Sequence, residues 1–217
     1  MDQRQLAGVN SYTRELGFNP VDVLTARLAD SDQDGRTHAR AVGWLDLCCG
    51  TGRALIQAAE QLDRVGLAQH AVLVGVDLVD AFDPVAPGSG VQLICAPVDT
   101  WTATRRFDLI TCVHGLHYVG DKLAVLTRAA RWLTGTGRLV ADLDLSGIRA
   151  RDRTTANRRL TARLRAAGFT YDPRRHRIGR LGPANVDLPY TYLGADDRAG
   201  PNYTGQPAVH SHYREDD

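Results

Sequence analysis

The sequence predicts an α/β fold: a doubly wound, mostly parallel sheet of about seven strands, with helices on both faces and a final antiparallel hairpin. Three observations predict it. From residue 43 onward, short apolar runs rich in Val, Leu and Ile alternate with segments whose apolar residues recur at helical spacing. The stretch Trp44-Leu45-Asp46-Leu47-Cys48-Cys49-Gly50-Thr51-Gly52 breaks a buried strand at two glycines and runs into a helix with an apolar stripe of Leu55, Ala58, Ala59 and Leu62. At 217 residues, 43% apolar and 24% charged, the chain is ample for one such domain and short for two.

Residues 1–42 read as a small helical cap. Leu6, Val9, Thr13 and Leu16, stopped by Gly17, predict a first helix within residues 2–16. Asn19-Pro20 supplies a cap and a first helical proline for a second helix with Val21, Leu24 and Leu28 on one face. Residues 30–40 are polar and read as a loop.

The core spans 43–193. Strands are expected at 45–48, 71–76, 91–95, 107–113 and 138–143. Two prolines and two glycines within 80–90 speak against a crossover helix there. Asp121 caps a helix that turns Leu123, Leu126, Ala130 and Leu133 inward and ends at Gly135-Thr136-Gly137. Leu160, Leu164 and Ala167 line a further helix closed by Gly168. Residues 169–178 and 186–193, joined through 179–185, read as the last hairpin. The tail, 194–217, is turn-rich, with Tyr203, Val209 and Tyr213 as anchors.

No apolar run approaches the roughly 20 residues of a membrane helix, and the first residues lack the apolar core of a secretory signal. The expected location is the cytoplasm, as a monomer or homodimer. Cys48, Cys49, Cys95 and Cys112 have no metal-like spacing and read as buried, reduced thiols. Residues 149–180 hold eleven arginines against Asp152 and Asp172, a local balance of +9 in a chain whose total is +1. Without interleaved aromatics this reads as a solvated face, with attraction of an anionic acceptor or an RNA backbone as alternatives.

Gly50 and Gly52 can take positive φ and let a ligand approach the backbone, with the next helix's free N–H groups behind them. Phosphates, dinucleotides and S-adenosylmethionine suit such a loop. A phosphate loop needs Gly-Lys-Ser/Thr, and here Gly52-Arg53-Ala54 follows. A dinucleotide loop needs a third glycine where Leu55 stands.

Residues 43–170 resemble the class I S-adenosylmethionine-dependent methyltransferases, a family with a Rossmann-like fold. Asp46-Leu47-Cys48-Cys49-Gly50-Thr51-Gly52 is similar to the family's first motif, with Cys48 where its first glycine is usual, which narrows the turn. Asp77, ending Leu73-Val74-Gly75-Val76-Asp77, is placed like the acidic residue that accepts both ribose hydroxyls. A carboxylate suits that task because it accepts two charge-assisted hydrogen bonds from a vicinal diol. Ala96-Pro97-Val98-Asp99 resembles the stretch presenting an Asp and a backbone amide to adenine, with Leu78 and Trp101 against the ring faces. Phe107-Asp108-Leu109-Ile110 and Leu116-His117-Tyr118-Val119 are similar to later motifs, and Cys112 lies between them.

The resemblance implies S-adenosylmethionine as cofactor, S-adenosylhomocysteine as product, and in-line methyl transfer to a small-molecule acceptor, anionic or of natural-product type. An RNA methyltransferase using the 149–180 face and a non-catalytic cofactor-binding protein are the alternatives. His114, then His117, are the candidate bases, because an unperturbed imidazole accepts a proton near neutrality. Asp142 and Asp144 either orient an acceptor or cap the next segment. His210-Ser211-His212 has a spacing seen in metal sites but no carboxylate partner in sequence, and no metal is expected.

Overall fold

Helix caps set the entry to the fold. In the computed structural model, which describes residues 4–8, 11–33, 41–150, 153–198, 200–203 and 205–216, the Ser11 hydroxyl accepts from the Arg14 N–H at 3.2 Å and opens α1 (Tyr12–Leu16). Gly17 closes it at φ 77°. The Asn19 side chain accepts from the Val21 N–H at 3.1 Å and opens α2 (Pro20–Gln33).

Strands and helices then alternate: β1 (Val42–Leu47), α3 (Arg53–Arg64), β2 (Ala71–Asp77), β3 (Val91–Cys95), β4 (Phe107–Cys112), α4 (Lys122–Arg131), β5 (Leu133–Asp142), β6 (Ile148–Arg149), α5 (Arg153–Ala166), β7 (Thr170–Asp172), β8 (Arg177–Leu181), β9 (Tyr190–Asp196) and β10 (His210–Glu215). The main sheet has seven strands in the order β3-β2-β1-β4-β5-β8-β7. The pairs from β3 to β5 are parallel, and β8 runs antiparallel to both β5 and β7. Every residue of β1 and β4 is buried, as a strand covered on both faces requires. Trp44 joins the cluster under α2 and α3, while its neighbour Leu45 joins the one under α4 and α5. No helix runs from 78 to 90. Among the described residues no helix is long and apolar enough to cross a membrane.

The structure departs from the sequence reading at five places. The first helix is only Tyr12–Leu16, because Gln5 bridges Ser11 and the Leu6 carbonyl accepts from Thr13; Val9 lies outside the described residues. The loop expected at 30–40 begins later, since α2 runs to Gln33, and 34–40 lie outside the described residues. Gly135-Thr136-Gly137 sits within β5, whose register against β4 shifts between Phe107 and Leu109; a Cβ on Gly137 would lie 2.7 Å from the Phe107 carbonyl oxygen.

The last two differences concern the C-terminal third. The hairpin is β7–β8, turning at 173–176, and not a pairing of 169–178 with 186–193. Asp172 Oδ1 accepts the N–H groups of Arg174 and Arg175 at 2.9 and 3.2 Å, an Asx turn hidden within an arginine-rich run. β9 leaves the main sheet and pairs with β10, which also pairs with β6, so 194–217 is built into a second, three-stranded sheet. Lys122, buried, clamps that sheet to the core: its ammonium donates to the carbonyls of Val119 and Val209 and to Ser211 Oγ at 2.7–3.0 Å. The Tyr213 hydroxyl donates to Asp121 and accepts from the Leu123 N–H. All four cysteines are free, yet only Cys112 is fully buried and Cys95 is exposed.

Candidate active site

The strand order reverses between β1 and β4, and in an open α/β sheet such a reversal opens a crevice at the carboxyl ends of the strands. A cavity of about 480 Å³ lies there, lined by the residues that follow β1, β2, β3 and β4.

The loop after β1 forms its floor. Cys48 sits at φ 58°, the left-handed region a glycine takes at no cost and an L side chain at roughly 1–2 kcal/mol. Its side chain is accommodated by the facing loop: a Cβ on Gly115 would lie 2.3 Å from Cys48 Cβ and 2.8 Å from Cys112 Sγ. The cysteine at a usual glycine position is thus matched by a glycine opposite. Gly50 and Gly52 follow at φ 61° and 76°, and Gly52 precedes α3 as its cap. Below the floor, Asp46 is fully buried and accepts from Tyr12 Oη and Thr111 Oγ1, each at 2.6 Å. Trp44 Nε1 in turn donates to Thr111 Oγ1 at 2.7 Å. Burial pushes the Asp46 carboxyl up to about 7, against the lowering effect of both hydroxyl donors.

One wall carries two carboxylates. Asp77 accepts from the Gly50 N–H at 2.8 Å and the Val79 N–H at 3.1 Å. These bonds fix the carboxylate against the glycine loop and leave other acceptor sites available on its oxygens. Asp99 lines the same wall beyond Pro97 and Val98, and Arg128 holds that strand exit by donating to the Val98 carbonyl at 2.9 Å. Leu78, Val79 and Tyr118, more than half exposed, rim the opening with apolar surface. Asp83 closes the connection from β2, bridging Arg53 Nε at 2.9 Å.

The opposite wall carries His114, held at φ 53° just after β4 while its N–H donates to Asp142 Oδ2 at 3.1 Å. Its ring is nine-tenths buried, and neither ring nitrogen has a hydrogen-bond partner. Nε2 stands 3.3 Å from Glu15 Oε2 and 3.6 Å from Asp142 Oδ2. Asp142 is paired across the antiparallel ladder with Arg177, whose Nε is 3.7 Å away. Burial pushes the Asp142 carboxyl up to about 6, with Arg177 and Arg4 pulling it down. Glu15, His114 and Asp142 place three donor atoms within 4.8 Å of one another. Such a trio can handle a proton or ligate a cation, and the adjacent guanidinium of Arg177 already supplies a countercharge.

The sequence-predicted residues therefore divide. Cys48, Gly50, Asp77, Leu78, Val98, Asp99 and His114 line the cavity. Asp46, Gly52 and Cys112 lie beneath or beside its floor. Trp101 packs edge-on against Trp132 with ring centroids 5.4 Å apart, half-buried against the core and outside the cavity lining. His117 is buried, 5.4 Å from the Tyr203 ring, and burial pushes its imidazole down to about 4, which makes it a weak proton acceptor. Asp144 caps the next turn through the Ser146 N–H. His210 and His212 lie on β10, where both face Asp196, at 3.7 and 2.6 Å. Arg4, Tyr12 and Gln206 line the cavity without having been singled out. They come from the two ends of the chain, and nothing in local periodicity marks residues brought in by tertiary contact.

The profile of a family described as "Methyltransferase domain" matches residues 18–177. No curated protein sequence matches significantly. Among solved structures, the chain is similar to the plantazolicin methyltransferase BpumL in complex with SAH, at 17% identity and a TM-score of 0.43, over 63% of this chain and 50% of that one. It is also similar to SAM-bound CalS10, an amino pentose methyltransferase from Micromonospora echinaspora involved in calicheamicin biosynthesis, at 24% identity and a TM-score of 0.37, over 59% and 52% of the two chains. A third is the StiE O-MT, at 19% identity and a TM-score of 0.40, over 63% and 53%. The chain spans about half the length of these structures.

Proposed function

Because the chain belongs to the methyltransferase-domain family, matched over residues 18–177, we propose that it moves a methyl group from S-adenosylmethionine to a small-molecule acceptor whose nucleophile is presented at His114. One arrangement supports this most: a single cavity with Asp77 and Asp99 on one wall and His114 on the other, at the switch point of a doubly wound sheet.

The residues fit the cofactor. About 480 Å³ is in the range of small-molecule sites. Asp77, pinned by two backbone N–H groups, would take the ribose diol. Asp99 and the backbone beside Val98 would take the adenine edge, with Leu78 the apolar side chain available to its ring. Arg4, also in the lining, would take the carboxylate of the amino-acid portion. When bound, the cofactor supplies an electrophilic methyl carbon on a sulfonium.

What remains is positioning and one proton. The apolar rim excludes water and the walls align the reactants, which together supply up to roughly 7–11 kcal/mol of the barrier. Where the acceptor is an O–H or N–H, His114 Nε2 receives the proton, and Glu15 and Asp142 hold it there. A positioned base adds about 10²–10⁴ in rate.

The test starts with S-adenosylhomocysteine. It should raise the melting temperature of the wild-type protein, and Asp77→Ala should abolish most of the rise. Incubation with S-adenosylmethionine and a metabolite extract should then yield a small molecule heavier by one CH₂. A wild-type protein with no thermal response to either molecule defeats the proposal, and an unchanged response in Asp77→Ala defeats the ribose assignment.

A further inference from the structure

Eleven arginines crowd residues 149–180; Arg149 and Arg180 are engaged locally, with His210 and with the Gly182 carbonyl, and two other groups stand apart. Arg159 and Arg163, on α5, reach toward Glu215 at 3.4 and 3.9 Å along an open, solvated face. Arg174, Arg175 and Arg177 belong to the β7–β8 turn, and there they meet α1. Together with Arg14 they line a second cavity of about 620 Å³. Residues some 160 positions apart in sequence thus converge on one space. Arg177 Nη1 donates to the Leu16 carbonyl at 3.1 Å, fixing the turn to the end of α1.

This second cavity adjoins the first at Glu15. That side chain lines the basic cavity and, through Oε2, stands 3.3 Å from His114 Nε2 in the wall of the other. Tyr203 forms an aromatic partition on the same side: it stacks on His176 with ring centroids 4.1 Å apart and planes within 13°, and its ring lies 6.2 Å from His114. A molecule seated among the arginines would therefore have its far end at Glu15, the carboxylate that stands beside the proposed proton acceptor. Glu15 is the carboxylate of that lining, 3.3 Å from His114 Nε2, while Arg175 also meets Asp172 at 3.4 Å and Arg177 meets Asp142 at 3.7 Å.

From this convergence we propose that the methyl acceptor is a small oxyanion-bearing molecule, its carboxylate or phosphate held by Arg174, Arg175 and Arg14 while its nucleophilic end reaches His114. The inference rests on the methyl-transfer reading for what the anion is attached to. Guanidinium forks fit both oxyanions in bidentate fashion, which selects for their shared chemistry. An aromatic wall of Tyr203 and His176 suits a flat acceptor body between the two ends. An RNA backbone would instead use the open α5 face, and that face points its arginines at Glu215.

Three phenyl probes test this: benzoate, its neutral isostere benzamide, and phenyl phosphate, titrated by calorimetry into the protein with and without S-adenosylhomocysteine. Benzoate or phenyl phosphate should bind at least about tenfold more tightly than benzamide, and whichever of the two leads identifies the oxyanion. The double variant R174Q/R175Q should erase that preference while its thermal response to S-adenosylhomocysteine stays that of the wild type. Equal binding of all three probes, no binding of either anion, or a preference that survives in R174Q/R175Q overturns the proposal. So does tight binding of a short RNA hairpin that R159Q/R163Q abolishes and R174Q/R175Q does not. Failure of the methyl-transfer reading appears separately, as no response to S-adenosylhomocysteine in the wild type, and leaves the anion preference of the unliganded protein measurable.

Discussion

Replacing Asp46 by Asn tests the buried network under the glycine loop through its pH dependence. Asp46 is fully buried, and its carboxyl is raised from 3.8 to about 7 chiefly by desolvation. In the folded protein the proton is therefore kept where the unfolded chain has lost it. Below about pH 4 both states are protonated and no penalty exists; between about pH 4 and 7 the folded state binds more protons, so stability falls as pH rises. The shift of about 3 units corresponds to about 4 kcal/mol, as an order of magnitude. Asn keeps the shape and one acceptor for Thr111, turns an N–H₂ toward the Tyr12 oxygen, and cannot ionise. Asp46→Asn should therefore gain on the wild type steadily across that window, by up to about 4 kcal/mol in urea unfolding followed at successive pH values. Asp142, raised in the same direction, is present in both proteins and cancels in the difference. Two stability curves that run parallel from pH 4 to 7 refute the buried, protonated state of Asp46.

Three further outcomes follow from the geometry. Gly115→Ala should destabilise by about 1–3 kcal/mol, since its Cβ would lie 2.3 Å from that of Cys48; Cys48→Gly in the same chain should recover most of the loss, and additive thermal shifts in the double variant disprove the pairing. Lys122 has its ammonium pushed down to about 8 by burial, so the unfolded chain binds the extra proton between about pH 8 and 10.5, and wild-type stability rises with pH across that range. Lys122→Met should lack this rise, by about 3 kcal/mol in chemical denaturation; an identical slope in both proteins shows that the amine is not desolvated. His114→Gln should lower methyl transfer to an O–H or N–H acceptor by about 10²–10⁴ and leave S-adenosylhomocysteine binding intact, whereas a fall of less than about tenfold in single-turnover rate removes the base from the mechanism.

What local pattern can report, the sequence reported. Strands buried on both faces leave apolar runs, so β1, β2 and β4 were visible as such, the edge strand β3 showed as a shorter run, and the prolines of 80–90 announced a connection without a helix. The carboxylates at the exits of β2 and β3 were legible because strand ends converge on one sheet edge. The failures have a common cause. Trp101 and Trp132 find each other across 31 positions, and an indole at a strand exit looks the same whether it meets a ligand or a second indole. The β7–β8 turn was concealed because Asp172 caps it with a side chain that, among so many arginines, reads as a solvated charge. β10 is short and polar, and its pairing with β9 and β6 rests on Lys122 and Tyr213, whose partners lie some ninety residues away.

The two halves of the site are nonetheless mechanically one, and the link is a single turn of helix. Tyr12 and Glu15 are three residues apart on α1, a spacing that sets both side chains on one face. Tyr12 reaches under the glycine loop to Asp46, and Glu15 reaches the imidazole of His114. The floor of the first cavity is thereby linked to the carboxylate that stands beside His114, and α1 also forms a wall of the basic cavity. A five-residue helix cannot hold its own geometry in isolation, because so short a segment does not recover the cost of nucleation. Besides its caps, it is tied down by the Tyr12 hydroxyl at one end and by Arg177 on the Leu16 carbonyl at the other. The glycine loop, His114 and the basic cavity therefore all meet α1, which these two hydrogen bonds tie to the sheet and to β8.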